Sequence, residues 1–322
     1  MPGQPGQPGP AGPPGDASVV VRVPSAGLTF RILGVSVGTD RQVTVRFELR
    51  DARNQGLGPD DLNALGFMVD EVVPGQPTAA PPVQPRYRAF TTCPAAAPNT
   101  TTLQPCMDNA VSGTTVQRAR LTDLGDGVWS YRLADALPST YDPTRTLSVA
   151  AQARRPGLLA TDVPAVANTV FDLVPGGGTP TVLRAVGQAS CNSCHGQLSA
   201  HGGSRRDVRL CINCHTEELV DPDTGTNLRF ETMIHRIHRG EQLPSVVAGT
   251  PYRVIGRNNA VHDFSTVRYP QDLRRCDTCH TADAPGAQLP ATVANRTACL
   301  SCHDRTYVGA STPPMGFAAP PV

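Results

Sequence analysis

The chain has 322 residues, room for about two domains, and its 28 basic and 27 acidic residues leave a formal net charge of +1. That balance, with no Lys/Arg run, excludes a groove-binding surface for nucleic acid. No stretch of 18 apolar residues exists to span a membrane, and no charged n-region followed by an apolar h-region marks a signal peptide.

Residues 1–16 place Gly3, Gly6, Gly9, Gly12 and Gly15 in five Gly-x-y triplets with prolines between them. Alone the tract is too short for a triple helix and reads as an extended, polyproline-like tether. The alternative is the end of a longer collagenous stalk, which implies a trimer.

Residues 17–173 change to a period of two. Val43, Val45, Phe47 and Leu49 alternate with Thr44, Arg46, Glu48 and Arg50, as in a half-buried strand. Similar runs are Ser18–Val23, Leu28–Val37, Phe67–Val72, Thr115–Leu121, Val128–Leu133, Leu147–Ala153 and Thr169–Leu173. Gly58-Pro59-Asp60 and Gly125-Asp126-Gly127 punctuate them. Short strands at this spacing predict an antiparallel β-sandwich or barrel. A Pro/Ala-rich insert, 73–109, interrupts the region and holds Cys93 and Cys106. Paired as a disulfide, they close a loop for a stabilisation of about 3 kcal/mol; two free thiols is the other reading. Residues 174–180, Val-Pro-Gly-Gly-Gly-Thr-Pro, form the clearest linker, and the Pro/Ala-rich tail 311–322 is expected to be disordered unless a partner holds it.

Between them, residues 181–310 carry four Cys-x-x-Cys-His pentapeptides: Cys191–Cys194–His195, Cys211–Cys214–His215, Cys276–Cys279–His280 and Cys299–Cys302–His303. Each reads as a c-type haem site, with two thiols forming thioethers to the porphyrin and the adjacent imidazole on the iron. A single copy could be chance, half a zinc site or a redox pair, but four copies use eight of the ten cysteines. The expected cofactors are four haem c groups, in a loop- and short-helix tetrahaem domain. Their propionates make the loaded protein net acidic, and their porphyrins supply bulk that the low aromatic content, 5%, does not. All 28 basic residues are Arg; a GC-rich genome accounts for that, and pairing of guanidinium forks with propionates is the alternative. Haem c is attached after export, in the compartment where disulfides persist. An extracytoplasmic location follows, with the export signal expected upstream of Met1.

The other four histidines, His201, His235, His238 and His262, all fall in the haem segment. Four irons and four spare imidazoles match one to one, so each is a candidate distal ligand. Met233 and Met315 are the thioether competitors. Met233 lies with Phe230, Ile234 and Ile237 at helical spacing in 228–240, capped by Gly240, and reads as core. His235 and His238, at i and i+3 on that helix, are placed to reach two different haems. Bis-imidazole iron has no open position, which disfavours inner-sphere catalysis and leaves outer-sphere electron transfer, at most reduction of a metal or flavin. Roughly thirty residues per haem force the porphyrins into near contact.

The run of the first two motifs with His201-Gly202-Gly203, Asp221–Gly225, Ile234–Gly240, His262-Asp263-Phe264, Tyr269–Leu273 and the last two motifs resembles the outer-membrane multihaem cytochromes of metal-reducing bacteria, the OmcA/MtrC family. Phe30–Val35, Val45–Asp51 and Gly127–Leu133 are similar to the β-domain that precedes a haem domain there. The resemblance implies cell-surface electron transfer to metal oxides, soluble metals, flavins or partner cytochromes. Members typically carry ten haems in two pentahaem domains, so this chain looks like half of that architecture, without the fifth motif or the lipidated cysteine. The second reading is a subunit of a polymeric cytochrome filament, in which Pro-rich arms exchange between chains and a distal histidine comes from a neighbour.

Overall fold

Alternation sets the first hairpin, in which β1 (Thr29–Val37) pairs antiparallel with β2 (Val43–Arg50). The apolar residues of β2, Val43, Val45, Phe47 and Leu49, are fully buried, and its polar ones turn to the other face. The structure is a computed structural model that describes residues 25–76, 83–95, 103–282, 284 and 296–306. The Gly-x-y tract, the strand expected at Ser18–Val23, the tail 311–322 and Met315 lie outside these residues.

Two antiparallel sheets face one another. The first has the order β1-β2-β10-β9, with β9 at Leu121–Gly125 and β10 at Val128–Arg132. The second has the order β12-β11-β3-β7-β8: β3 is Ala64–Val73, β7 Asp108–Ser112, β8 Thr115–Val116, β11 Leu147–Arg155 and β12 Ala165–Leu173. Strand β4 (Arg86–Ala89) also pairs with β3. Between the sheets Phe67 meets Phe47 and Tyr131 at 5.2 Å and Phe30 at 6.1 Å between ring centres, spacings at which aromatic pairs attract beyond the area they bury. Neither sheet closes on itself, so the region is a sandwich and not a barrel.

Two segments depart from the alternation pattern. Thr115–Leu121, expected as one strand, is divided into β8, a 3-10 turn at Arg118–Arg120 and the start of β9. The turn carries the chain from one sheet to the other, and Asp108 fixes it by accepting from Arg120 through both oxygens at 2.9 Å and from the Tyr131 hydroxyl at 2.8 Å. The insert 73–109 also carries structure: β4, then a hairpin of β5 (Thr92–Pro94) and β6 (Leu103–Pro105). Cys93 and Cys106 are paired beside that hairpin, with Cα atoms 5.9 Å apart.

The haem-motif segment is made of short helices: α1 (Gln188–His195), α2 (Val208–Cys214), α3 (Phe230–Arg239), α4 (Pro244–Val247) and α5 (Arg296–Cys302), with a small hairpin of β13 (Arg253–Ile255) and β14 (Val261–Asp263). Helix α2 lies on the outer face of the second sheet, where Leu210 and Cys214 pack with Met68, Met107 and Ala150. The Asn168 carboxamide accepts from the Arg206 backbone at 2.7 Å, and Arg209 pairs with Asp172. This contact is why β3 is buried on both faces and reads as an almost continuous apolar run.

Inside the contact, Asp70 is fully buried and accepts from the Asn213 amide at 2.5 Å, while its other oxygen has no partner among the described residues. Desolvation holds its carboxyl well above the ordinary 3.8. A raised carboxyl favours the fold below its unfolded value and forfeits that stability as pH rises through the folded value. Asp70→Asn is therefore expected to flatten the fall of the urea midpoint as pH rises above the ordinary carboxylate value of about 4. Identical slopes for the two proteins would count against a buried, protonated Asp70.

Candidate functional site

Helix ends position the four motifs. Cys191 to His195 close α1, Cys211 and Cys214 lie on α2 with His215 as its C-cap, Cys276 opens a 3-10 turn, and Cys299 and Cys302 lie on α5. Asp207 starts α2 by accepting from the Arg209 backbone at 2.8 Å, an N-cap that satisfies one of the helix's orphan donors. All eight thiols are free of disulfides, and most are partly or fully exposed, Cys214 being the buried exception. Burial pushes the Cys211 thiol up to about 11 and that of Cys214 to about 12.

The motifs are not laid out in sequence order. Cys191 bears electrostatically on Cys211, Cys279 on Cys191, Cys194 on Cys279, and Cys276 on Cys302. The Ser190 and Thr281 hydroxyls meet at 2.9 Å, and the ring Nδ1 of His280 lies 3.1 Å from the Ala185 carbonyl oxygen, which fastens the third motif beside the first. Helix α5 packs against α3. The spatial order is second, first, third, fourth.

Six histidines form three pairs, each joining a motif histidine to one outside a motif. His195 faces His238 at 6.1 Å between ring centres, His215 faces His201 at 6.1 Å and His280 faces His235 at 6.3 Å. Helix α3 thus serves two motifs, its i and i+3 histidines reaching the third and the first. Metal–imidazole bonds of about 2.0–2.1 Å separate two ring centres across one metal by about 6 Å, the spacing seen in each pair. The Nδ1 atoms of His215, His238 and His280 lie 2.8–3.1 Å from the carbonyl oxygens of Leu228, Ile234 and Ala185. A carbonyl only accepts, so each Nδ1 carries the hydrogen and each Nε2 keeps its lone pair for a metal. Burial also pushes the His215 and His235 imidazoles down, towards the neutral form that a metal requires.

His262 and His303 stand apart from this scheme. Both are exposed, and among the described residues neither is paired with another imidazole. Among the described residues no imidazole faces His303, so the expected partner of the fourth motif is not seen in these three pairs. His262 sits on β14, on the side of His201, with its Nε2 turned onto Gly256: a Cβ there would lie 2.7 Å from it. Met233 is part of α3 and half-buried, while Met315 lies outside the described residues.

Several buried donors in this segment lack an acceptor among the described residues: Arg184 Nε, Thr216 Oγ1, Thr232 Oγ1, Arg236 Nε and the Tyr252 hydroxyl. The Arg236 guanidinium lies over the Tyr252 ring at 5.8 Å. Orphan buried donors are costly, and an anionic group inserted between these helices would satisfy them. Beside the His195–His238 pair, His238, Arg239, Tyr269 and Arg274 line an open cavity of about 270 Å³. Paired neutral imidazoles, nearby thiols and unpartnered donors fit a haem with its two propionates. Sequence reasoning singled out the thiols and imidazoles but passed over Arg184, Thr216, Thr232, Arg236 and Tyr252. Only the repeated arginines hinted at the last group.

Residues 184–317 match the family described as outer membrane cytochrome MtrC/MtrF-like, domains II/IV. The fold is similar to that of the outer membrane decahaem cytochrome OmcA, with a TM-score of 0.67 and 24% identity over 87% of this chain and 44% of that one. It is also similar to MtrC from Shewanella baltica OS185, with a TM-score of 0.58 and 22% identity over 87% of this chain and 40% of that one. The chain spans less than half the length of either protein. No curated protein matches it. Through residues 184–317, the segment that carries its Cys-x-x-Cys-His motifs, the chain is similar to the MtrC/MtrF-like outer membrane cytochromes.

Proposed function

We propose that the chain carries four covalent haem c groups and passes electrons along them outside the cytoplasm. The donors and acceptors are partner multihaem cytochromes, metal oxides, soluble metals or flavins. The observation that carries this reading is the 6.1–6.3 Å spacing of three His–His pairs, each beginning at a Cys-x-x-Cys-His motif. Bound haem would supply one-electron iron chemistry. Everything else falls to the chain. Cys191, Cys194, Cys211, Cys214, Cys276, Cys279, Cys299 and Cys302 tether the porphyrins. His195, His215, His280 and His303 hold the irons from one side, and His238, His201 and His235 close the first three from the other. The carbonyls of Leu228, Ile234 and Ala185 orient three of these rings, and Arg236, Tyr252, Thr216 and Thr232 take propionate oxygens.

The adjacency of the motifs makes the route second, first, third, fourth. The β-sandwich braces the second motif through Met68 and Asp70, so one end of the row rests on a rigid scaffold. A position outside the cytoplasm is supported by the chemistry of haem c attachment and by the Cys93–Cys106 pairing. The test is expression with a c-type maturation system, followed by a pyridine haemochrome count and stopped-flow oxidation of the reduced protein. Four haems per chain, with midpoint potentials below those of Met/His sites and rapid oxidation by a soluble ferric complex, is the expected result. A chain that folds with zinc and no haem would overturn the proposal.

A further inference from the structure

The histidine inventory is closed. All eight histidines lie among the described residues, six are used in three facing pairs, and the remaining two do not face each other. His262 is held on the β13–β14 hairpin beside His201, its Nε2 against the backbone of Gly256. His303 lies beyond α5, where Asp304 ties the chain to α4 by accepting from the Ser245 backbone at 3.1 Å and from its hydroxyl at 2.5 Å. The first, second and third motifs therefore each face an imidazole already at metal-bridging distance. The fourth, at the end of the row, has only its own histidine, and that ring is exposed.

We propose that in this chain the iron held by Cys299, Cys302 and His303 keeps its second axial face open to a small exogenous ligand: a diatomic π-acceptor when ferrous, and an anion or free imidazole when ferric. The inference rests on the haem reading given above. It makes the last haem a ligand-binding site at the exposed end of a row whose other members are sealed. Of this chain's imidazoles only His303 would hold that iron, and a haem bound there would be high-spin when ferric.

The experiment uses the full chain with its haems attached. The pyridine haemochrome count is taken first, because a count other than four fails the haem reading itself and is separate from the question of the open face. The dithionite-reduced protein is then titrated with carbon monoxide, and the ferric protein with cyanide. One carbon monoxide per four haems is expected in the wild type, still one in His262→Ala, and two in His201→Ala, which opens the iron held by His215. No uptake by the wild type would overturn the proposal, whatever residue closes the face. An uptake that appears only in His262→Ala would also overturn it and would identify His262 as the closing ligand.

Discussion

Replacing His235 with alanine is expected to add one quarter of the haem to the high-spin ferric population while all four haems stay attached. Attachment depends on the thiols of Cys276 and Cys279, which the substitution leaves alone, whereas the spin state depends on the field from both axial sides. His235 faces His280 at 6.3 Å, so under the proposed ligation its loss would remove one of the two nitrogens that hold the iron. His238→Ala should do the same at His195, and the double variant should add two quarters, because the two rings serve different irons and are independent sites. His262→Ala should add nothing. Electron paramagnetic resonance of the ferric protein reads the populations directly. A His235→Ala spectrum matching the wild type would remove His235 from the ligand set. A His262→Ala spectrum with a new high-spin signal would restore the one-to-one match of spare histidines to irons.

The proposed axial scheme was partly legible in the chain and partly not, for physical reasons. The thiols and motif histidines announce themselves because covalent attachment needs five consecutive residues, and consecutive residues are what a sequence displays. That His235 and His238 reach different motifs also follows locally, since i and i+3 on a helix point to neighbouring faces. Which motif each one meets is set by where the chain brings α3 relative to the first and third motifs, which no spacing encodes. The count of four spare histidines suggested four closed irons. Counting ignores direction, and in this structure the His262 Nε2 lies beside Gly256 of its own hairpin and faces no motif histidine among the described residues. In the β-sandwich, alternation revealed β1, β2, β10 and β11 because one face of each is in the core. It hid the β8–β9 corner, where the chain changes sheets, and β4, whose Arg86–Ala89 run looks polar but is half-covered by the haem segment through the Arg86–Glu217 pair at 2.7 Å.

Gly240→Ala is expected to be the most damaging single substitution outside the ligands, at about 3–5 kcal/mol. Gly240 caps α3 with φ +43°, a backbone conformation that an L side chain adopts only with strain. It is also buried against the loop at Val267: a Cβ would fall well inside contact distance of the Val267 carbonyl oxygen, with the Val267 Cβ at 2.8 Å. Neither neighbour is the far end of a flexible side chain, so relief requires the backbone to move. The 240–242 turn is bonded to that segment by the Glu241 backbone N–H, which donates to the same carbonyl at 3.1 Å, and shifting it would break the bond. The strain acts on the helix that supplies His235 and His238, so two irons should lose their distal imidazoles together as α3 loosens. Gly249, with φ +88° and nothing within 4 Å of a Cβ, provides the comparison: Gly249→Ala carries the backbone cost alone, about 1–2 kcal/mol. The check is the urea midpoint of each holo-protein, read together with its carbon monoxide stoichiometry. Gly240→Ala should lower the midpoint more than Gly249→Ala and raise the uptake per chain, because the packing of residue 240 against Val267 holds α3 in register with the two motifs it serves. Equal midpoints and equal uptake would mean that this packing is dispensable and that His235 and His238 are held by their irons alone.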